Sequence, residues 1–178
     1  MGRIFLSHSS VDKNFVKVVF DYFGANRCIY DEATFEMGMP TLEEVFRSLE
    51  RSDIFVFFIS DASLDSEWVK LELINAEEKL QERSLKQFFP IIIDENIKHS
   101  DNRIPKFLNK GFGQYNLRHI KKPAIAIQKI DAQLLKLQMT KEIDYLQKID
   151  YFYGREKEIL HFKEKHDRRD SNGRLSCI

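Results

Sequence analysis

The chain of 178 residues is poor in the residues that break or staple a fold: it has 7 Gly, 4 Pro and 2 Cys. So little Gly and Pro excludes a low-complexity or collagen-like chain. The two cysteines, Cys28 and Cys177, stand one in an apolar run and one in a polar tail. That spacing is neither a disulfide framework nor a metal-ligand set, and it fits a reducing compartment. Net charge is also lacking, since 28 basic side chains offset 28 acidic ones. No overall positive field would hold a nucleic acid backbone or an anionic membrane. No apolar run approaches the roughly 20 residues that span a bilayer. The opening "MGRIFLSHS" has no basic region ahead of a long apolar stretch, and the closing "LSCI" is not a prenylation box. We expect an unprocessed cytoplasmic protein.

Present instead are short apolar runs alternating with amphipathic segments. Arg3 to Leu6 reads as a strand, and Val11, Phe15, Val19 and Phe23 make one stripe of a helix ended by Gly24. "CIY" at Cys28 to Tyr30 is a second strand. After the loop "DEATFEMGMP", Thr41 can cap a helix carrying Leu42, Val45, Phe46 and Leu49. "IFVFFI" at Ile54 to Ile59 has no polar alternation, as expected of a central parallel strand covered on both faces. Ser66 can cap a helix reaching about Gln81, and "FFPIII" at Phe88 to Ile93 is a fourth strand. "IPKFLNKG" suggests a short helix, "QYNL" a last strand, and Ala124 to Ile149 a long helix. The last ~12 residues read as a disordered tail.

This βα alternation implies an α/β domain whose ligands gather beyond the carboxyl ends of parallel strands. Ser7, Asp31, Ser60 and Asp94 occupy those ends. One further pattern carries chemistry. In "SEWVKLEL" the only tryptophan, Trp68, precedes Glu72 by four residues, so indole and carboxylate share a helix face. Glu72 borders the stripe formed by Val69, Leu73, Ala76 and Leu80, which places it near the rim of a cleft. The spacing alone more commonly describes a solvated helix charge beside a tryptophan anchored in the core.

Other chemistries find less support. The five histidines are scattered, and no phosphate-cradling glycine loop occurs. A response-regulator receiver would want acids after the first strand, where this chain has "SHSS".

Three segments, "FLSHSS", "YDEATFEMGMP" and Trp68 to Glu72, together resemble a TIR (Toll/interleukin receptor) domain, of the bacterial, NAD-cleaving kind. The match is best from about Gly2 to Ile93. It implies a flavodoxin-like parallel sheet of about five strands flanked by helices, with a C-terminal helical extension. It also implies cleavage of the nicotinamide-ribose bond of NAD⁺, as substrate and not as cofactor, in prokaryotic immune defence. Glu72 aligns with the catalytic glutamate. Ser7, His8, Ser9, Asp31, Phe35 and Trp68 fall at substrate-binding positions, and Met37, Gly38, Met39 and Pro40 at the self-association surface of the BB loop. No metal is implied. A non-enzymatic scaffold for TIR–TIR contacts is the alternative. The serines of "LSHSS" depart from the similar animal NADase, which has a pair of arginines there. "YFYGREKEI" at Tyr151 to Ile159 resembles the opening of a STAND-type NTPase domain. The expected organisation is therefore a TIR domain over 1–149 and a helical extension with a polar tail over 150–178.

Overall fold

The computed structural model describes residues 2–30, 42–109 and 117–166. The chain enters the sheet at once through β1 (Ile4–Ser7), whose four residues are all buried. A 3-10 turn (Ser10–Asp12) leads into α1 (Lys13–Phe23). The turn is started by Ser9, whose hydroxyl accepts from the Val11 amide. Gly24, at φ 77°, ends α1 in a conformation only glycine adopts without strain, and its amide closes on the Phe20 carbonyl.

Next come β2 (Cys28–Tyr30), α2 (Leu42–Glu50) and β3 (Ile54–Ile59). All six residues of β3 are buried, as its unbroken apolar run requires. A short helix that the periodicity does not reveal, α3 (Asp61–Asp65), follows. Its start is a reciprocal cap: Ser60 Oγ accepts from the Ser63 amide, and Ser63 Oγ accepts from the Ser60 amide. Ser66 then caps α4 (Glu67–Gln81) as expected, accepting from the Val69 amide at 3.3 Å. After β4 (Gln87–Ile92) come the short α5 (Lys106–Asn109) and α6 (Pro123–His166). α6 runs well past Ile149, because Tyr151 to His166 continues without a helix-breaking proline.

The strands are parallel in the order β2-β1-β3-β4. Where about five strands were expected, the described residues form four, and a single parallel bridge joins Ile92 to His119 beyond β4. Gln114 to Asn116 of the anticipated "QYNL" strand lie outside the described residues, and Leu117 stands two residues before the bridge.

Alternation along β3 divides the core. Phe55, Phe57 and Ile59 pack with Val69, Leu73 and Ala76 of α4, while Ile54, Val56 and Phe58 pack with α1 and with Ala126, Ile130 and Leu134 of α6. Phe5 and Phe88 flank Phe55 in a stack, with centroids 5.3 Å and 5.0 Å away. The chain divides into two compact units, Met1–Leu137 and Gln138–Ile178. The second consists, among its described residues, of the later turns of α6. No helix among the described residues is long and apolar enough to cross a membrane.

Candidate functional site

Ser7 is the last residue of β1 and has no exposed surface. Its hydroxyl donates to Glu72 Oε2 at 2.5 Å. The carboxylate comes from the second turn of α4, the helix laid across the face of the sheet that carries Phe5, Phe55 and Phe57. Glu72, placed near the rim of a cleft by its helical position, is only 3% exposed. The difference is one of packing. Val69, Leu73 and Ala76 draw the helix onto the sheet closely enough that a border position is also covered. A carboxylate so enclosed needs hydrogen bonds to remain charged, and the Ser7 hydroxyl supplies one.

His8 and Ser9, 9% and 8% exposed, continue from Ser7 around the strand end. His8 Nδ1 lies 3.3 Å from the Leu6 carbonyl, which orients the ring. Ser9 serves as the cap of the following turn. Trp68, one helical turn before Glu72, is half-buried against the core, and its indole Nε1 is buried without a partner. The structure therefore brings Ser7 and Glu72 into contact and sets Trp68 one turn away on the same helix. Asp31, Phe35, Met37, Gly38, Met39 and Pro40 lie outside the described residues.

A second polar group stands at the same end of the sheet, beyond β3. Ser60 Oγ donates to Asp12 Oδ2 at 2.5 Å. Burial pushes the Asp12 carboxyl above its usual range, against the lowering effect of that hydrogen bond and of nearby His8. Asp94 is shifted the other way, chiefly because it accepts from the Asn96 amide. Asp12, Ser60, Asp94 and Lys121 line an open cavity of about 520 Å³ with Phe15. Beyond it, Arg103 binds Asp101, Asp61 and Asp65 together, tying the segment after β4 to α3. No cluster of three or more His, Cys, Asp or Glu side chains suited to a metal occurs among the described residues.

Sequence reasoning missed three of these features: the Ser7–Glu72 contact, the Asp12–Ser60 pair and Asn75. Asn75, on α4 three residues past Glu72, has a buried Oδ1 with no partner. A readable signal did exist for it, since Trp68, Glu72 and Asn75 repeat at i, i+4 and i+7 on one helix face.

Comparison with known proteins agrees with this architecture. The family description "TIR domain" matches residues 4–135. Among solved structures, a metazoan TIR-STING receptor from C. gigas, in complex with 2',3'-cGAMP, is similar with TM-score 0.55 and 21% identity. The likeness covers 72% of this chain and 39% of the receptor, so the chain matches well under half of that protein. A Clostridium botulinum CMP N-glycosidase, BcmB, is more distantly similar, with TM-score 0.46 and 14% identity over 72% of this chain and 98% of that one. Among curated proteins no match is found. With the family pattern matched from the first strand into α6 on a parallel sheet flanked by helices, the chain belongs to the TIR domain family.

Proposed function

We propose that this TIR domain is an NAD⁺ glycohydrolase with Glu72 as its catalytic residue. The observation that carries the reading is the enclosed Glu72 carboxylate, held by the Ser7 hydroxyl at the carboxyl end of β1. Parallel α/β sheets bind ligands at that end.

The chemistry asks for only one carboxylate. A glycosidase acting on an ordinary sugar needs a second carboxyl group to protonate a departing alkoxide. Nicotinamide leaves from a pyridinium: the bond from ribose C1' to nitrogen breaks, its electron pair stays on nitrogen, and the leaving group is neutral. The ribose is left as an oxocarbenium-like cation, which a preorganised anion stabilises. Water then adds to C1' and gives its proton to solvent, yielding ADP-ribose. An internal nucleophile of the same substrate would yield a cyclic isomer instead. Ser7 holds the carboxylate at its station, so little reorganisation is needed as charge develops. His8 and Ser9 follow Ser7 at the strand end and Trp68 stands one turn before Glu72; these three, with Asp31 and Phe35, are the residues this reading assigns to substrate binding.

Activity in this reading rises with self-association through Met37, Gly38, Met39 and Pro40, and its setting is prokaryotic immune defence in the cytoplasm. In this reading the TIR domain spans 1–149, and 150–178 is the helical extension with its polar tail, the start of a STAND-type NTPase domain in a longer chain.

One observation favours a second reading, a scaffold without catalysis: the Ser7–Glu72 hydrogen bond also suffices as a purely structural clasp between β1 and α4. The two readings separate on nicotinamide release from NAD⁺, measured by chromatography from nanomolar to high micromolar protein beside Glu72→Ala. Release that climbs with concentration and vanishes in the variant supports the assembled enzyme. Release per molecule that stays flat removes the assembly requirement. If none is seen even when the domain is clustered by fusion to an oligomer, the scaffold reading stands.

A further inference from the structure

Three buried side-chain polar atoms among the described residues lack a hydrogen-bond partner: Arg27 Nε, Trp68 Nε1 and Asn75 Oδ1. Two of the three stand on α4, one on each side of Glu72. At about 100° per residue, Trp68, Glu72 and Asn75 fall within an arc of roughly 60°. A buried carbonyl oxygen without a donor is costly, and such atoms recur where a ligand supplies the missing group. Nothing local calls for asparagine here, since it is a weak helix former whose side chain competes with the backbone.

The surroundings give that acceptor a direction. Lys79 lies on the same arc one turn beyond Asn75, and its ammonium binds Glu50 at the end of α2, 3.0 Å away. The arc therefore faces α2, and a surface ion pair marks its far end. Its near end, at Trp68, adjoins the carboxyl ends of the strands. Asn75 stands about 4.5 Å further from those ends than Glu72, measured along the helix.

NAD⁺ has unequal parts on the two sides of the bond that breaks. The ADP portion is large and doubly charged and must remain at the open strand ends. The nicotinamide ring is small, flat and carries a carboxamide with two N–H donors. With Glu72 at the ribose, the ring is the part small enough to lie along the α4 arc toward Asn75. Resting on the glycohydrolase reading above, we propose that Asn75 is a specificity-determining residue: its Oδ1 accepts an N–H of the nicotinamide carboxamide and so selects the leaving group.

The test compares kcat/KM for NAD⁺ and for its 3-acetylpyridine analogue, which keeps the ring carbonyl but replaces the amide nitrogen with a methyl group. Wild-type protein, concentrated or clustered as above, should prefer NAD⁺ by about tenfold or more, the worth of one well-made hydrogen bond in an enclosed site. Asn75→Leu should bring the two substrates within about twofold of each other, the N–H having lost its acceptor. Asn75→Asp, which keeps an acceptor oxygen, should retain the preference. Should the leucine variant fail to fold, Asn75→Ala, too short to reach the ring, makes the same comparison. A wild-type preference that persists in the leucine or alanine variant overturns the assignment while leaving the glycohydrolase intact. So does an active wild type indifferent to the two substrates. A wild type that releases no nicotinamide from either substrate sinks the glycohydrolase reading and this assignment with it.

Discussion

Ser7 and Glu72, 65 positions apart in the chain, share a buried hydrogen bond of 2.5 Å that joins the end of β1 to the second turn of α4. Each partner is enclosed, so neither can exchange the other for water without opening the core. The pair is thus both a latch between two elements and the means of holding a carboxylate in one place.

These two roles respond differently to substitution. Glu72→Gln keeps an oxygen for the Ser7 hydroxyl and should melt close to wild type, yet lose nicotinamide release by at least about a hundredfold, as loss of a transition-state charge partner does. Ser7→Ala leaves the carboxylate buried without that donor and should cost about 1–3 kcal/mol in urea denaturation. Should Glu72→Gln remain as active as wild type, the carboxylate is not the catalytic group.

Asp12 predicts a pH effect of opposite sign to most acids. Its folded pKa lies above the unfolded value, so the native state takes up the proton first. The charged form therefore costs stability at neutral pH, and that cost fades as pH falls through the folded pKa toward 3.8. Asp12→Asn, which still accepts from Ser60, should raise the urea midpoint at pH 7 and lose that advantage near pH 3. A midpoint that drops at pH 7 would mean that the negative charge is itself needed there.

Phe55 lies between Phe5 and Phe88 at the centre of the sheet with no exposed surface. Phe55→Ala should cost about 3–5 kcal/mol, because the stacked neighbours on adjacent strands cannot close the space. Calorimetry or chemical denaturation would read this directly. A loss under about 1 kcal/mol would show that the Phe core repacks freely.

Arg103 gathers Asp61, Asp65 and Asp101 with its side chain about one-third exposed. Pairs this open to solvent contribute little to global stability, so Arg103→Ala should shift the melting free energy by less than about 1 kcal/mol. Its effect should be local: faster amide hydrogen exchange between Lys98 and Ile104, where the backbone turn is held by Asp101, which accepts from both the Arg103 amide and its guanidinium. Unchanged exchange there would show that the turn stands without the arginine.

Local physics was legible from the chain alone. The six-residue apolar run of β3, the Ser66 cap of α4, the glycine that ends α1 and the βα alternation are all short-range signals, and each sits in the structure where the periodicity put it. α3 escaped notice because a five-residue helix has too few turns to show a period, and its capping serines resemble any polar loop. That the long helix and the expected helical extension are one continuous α6 was not legible, because its later residues lack a clean apolar stripe.

At the candidate site the division is sharper. Spacing placed Trp68 and Glu72 on one face of a helix, since residues four apart share a face wherever the helix lies. Burial was beyond its reach: whether Glu72 meets solvent or Ser7 depends on how closely α4 lies on the sheet, which is decided by Phe5, Phe55 and Phe57 on strands distant in sequence. The same holds for the Asp12–Ser60 pair and the orphaned oxygen of Asn75. Sequence by itself determined the order and type of the longer elements, because those follow from backbone preference and hydrophobic period. Only the tertiary structure decided which polar groups are cut off from water, because desolvation is a property of the whole packed core.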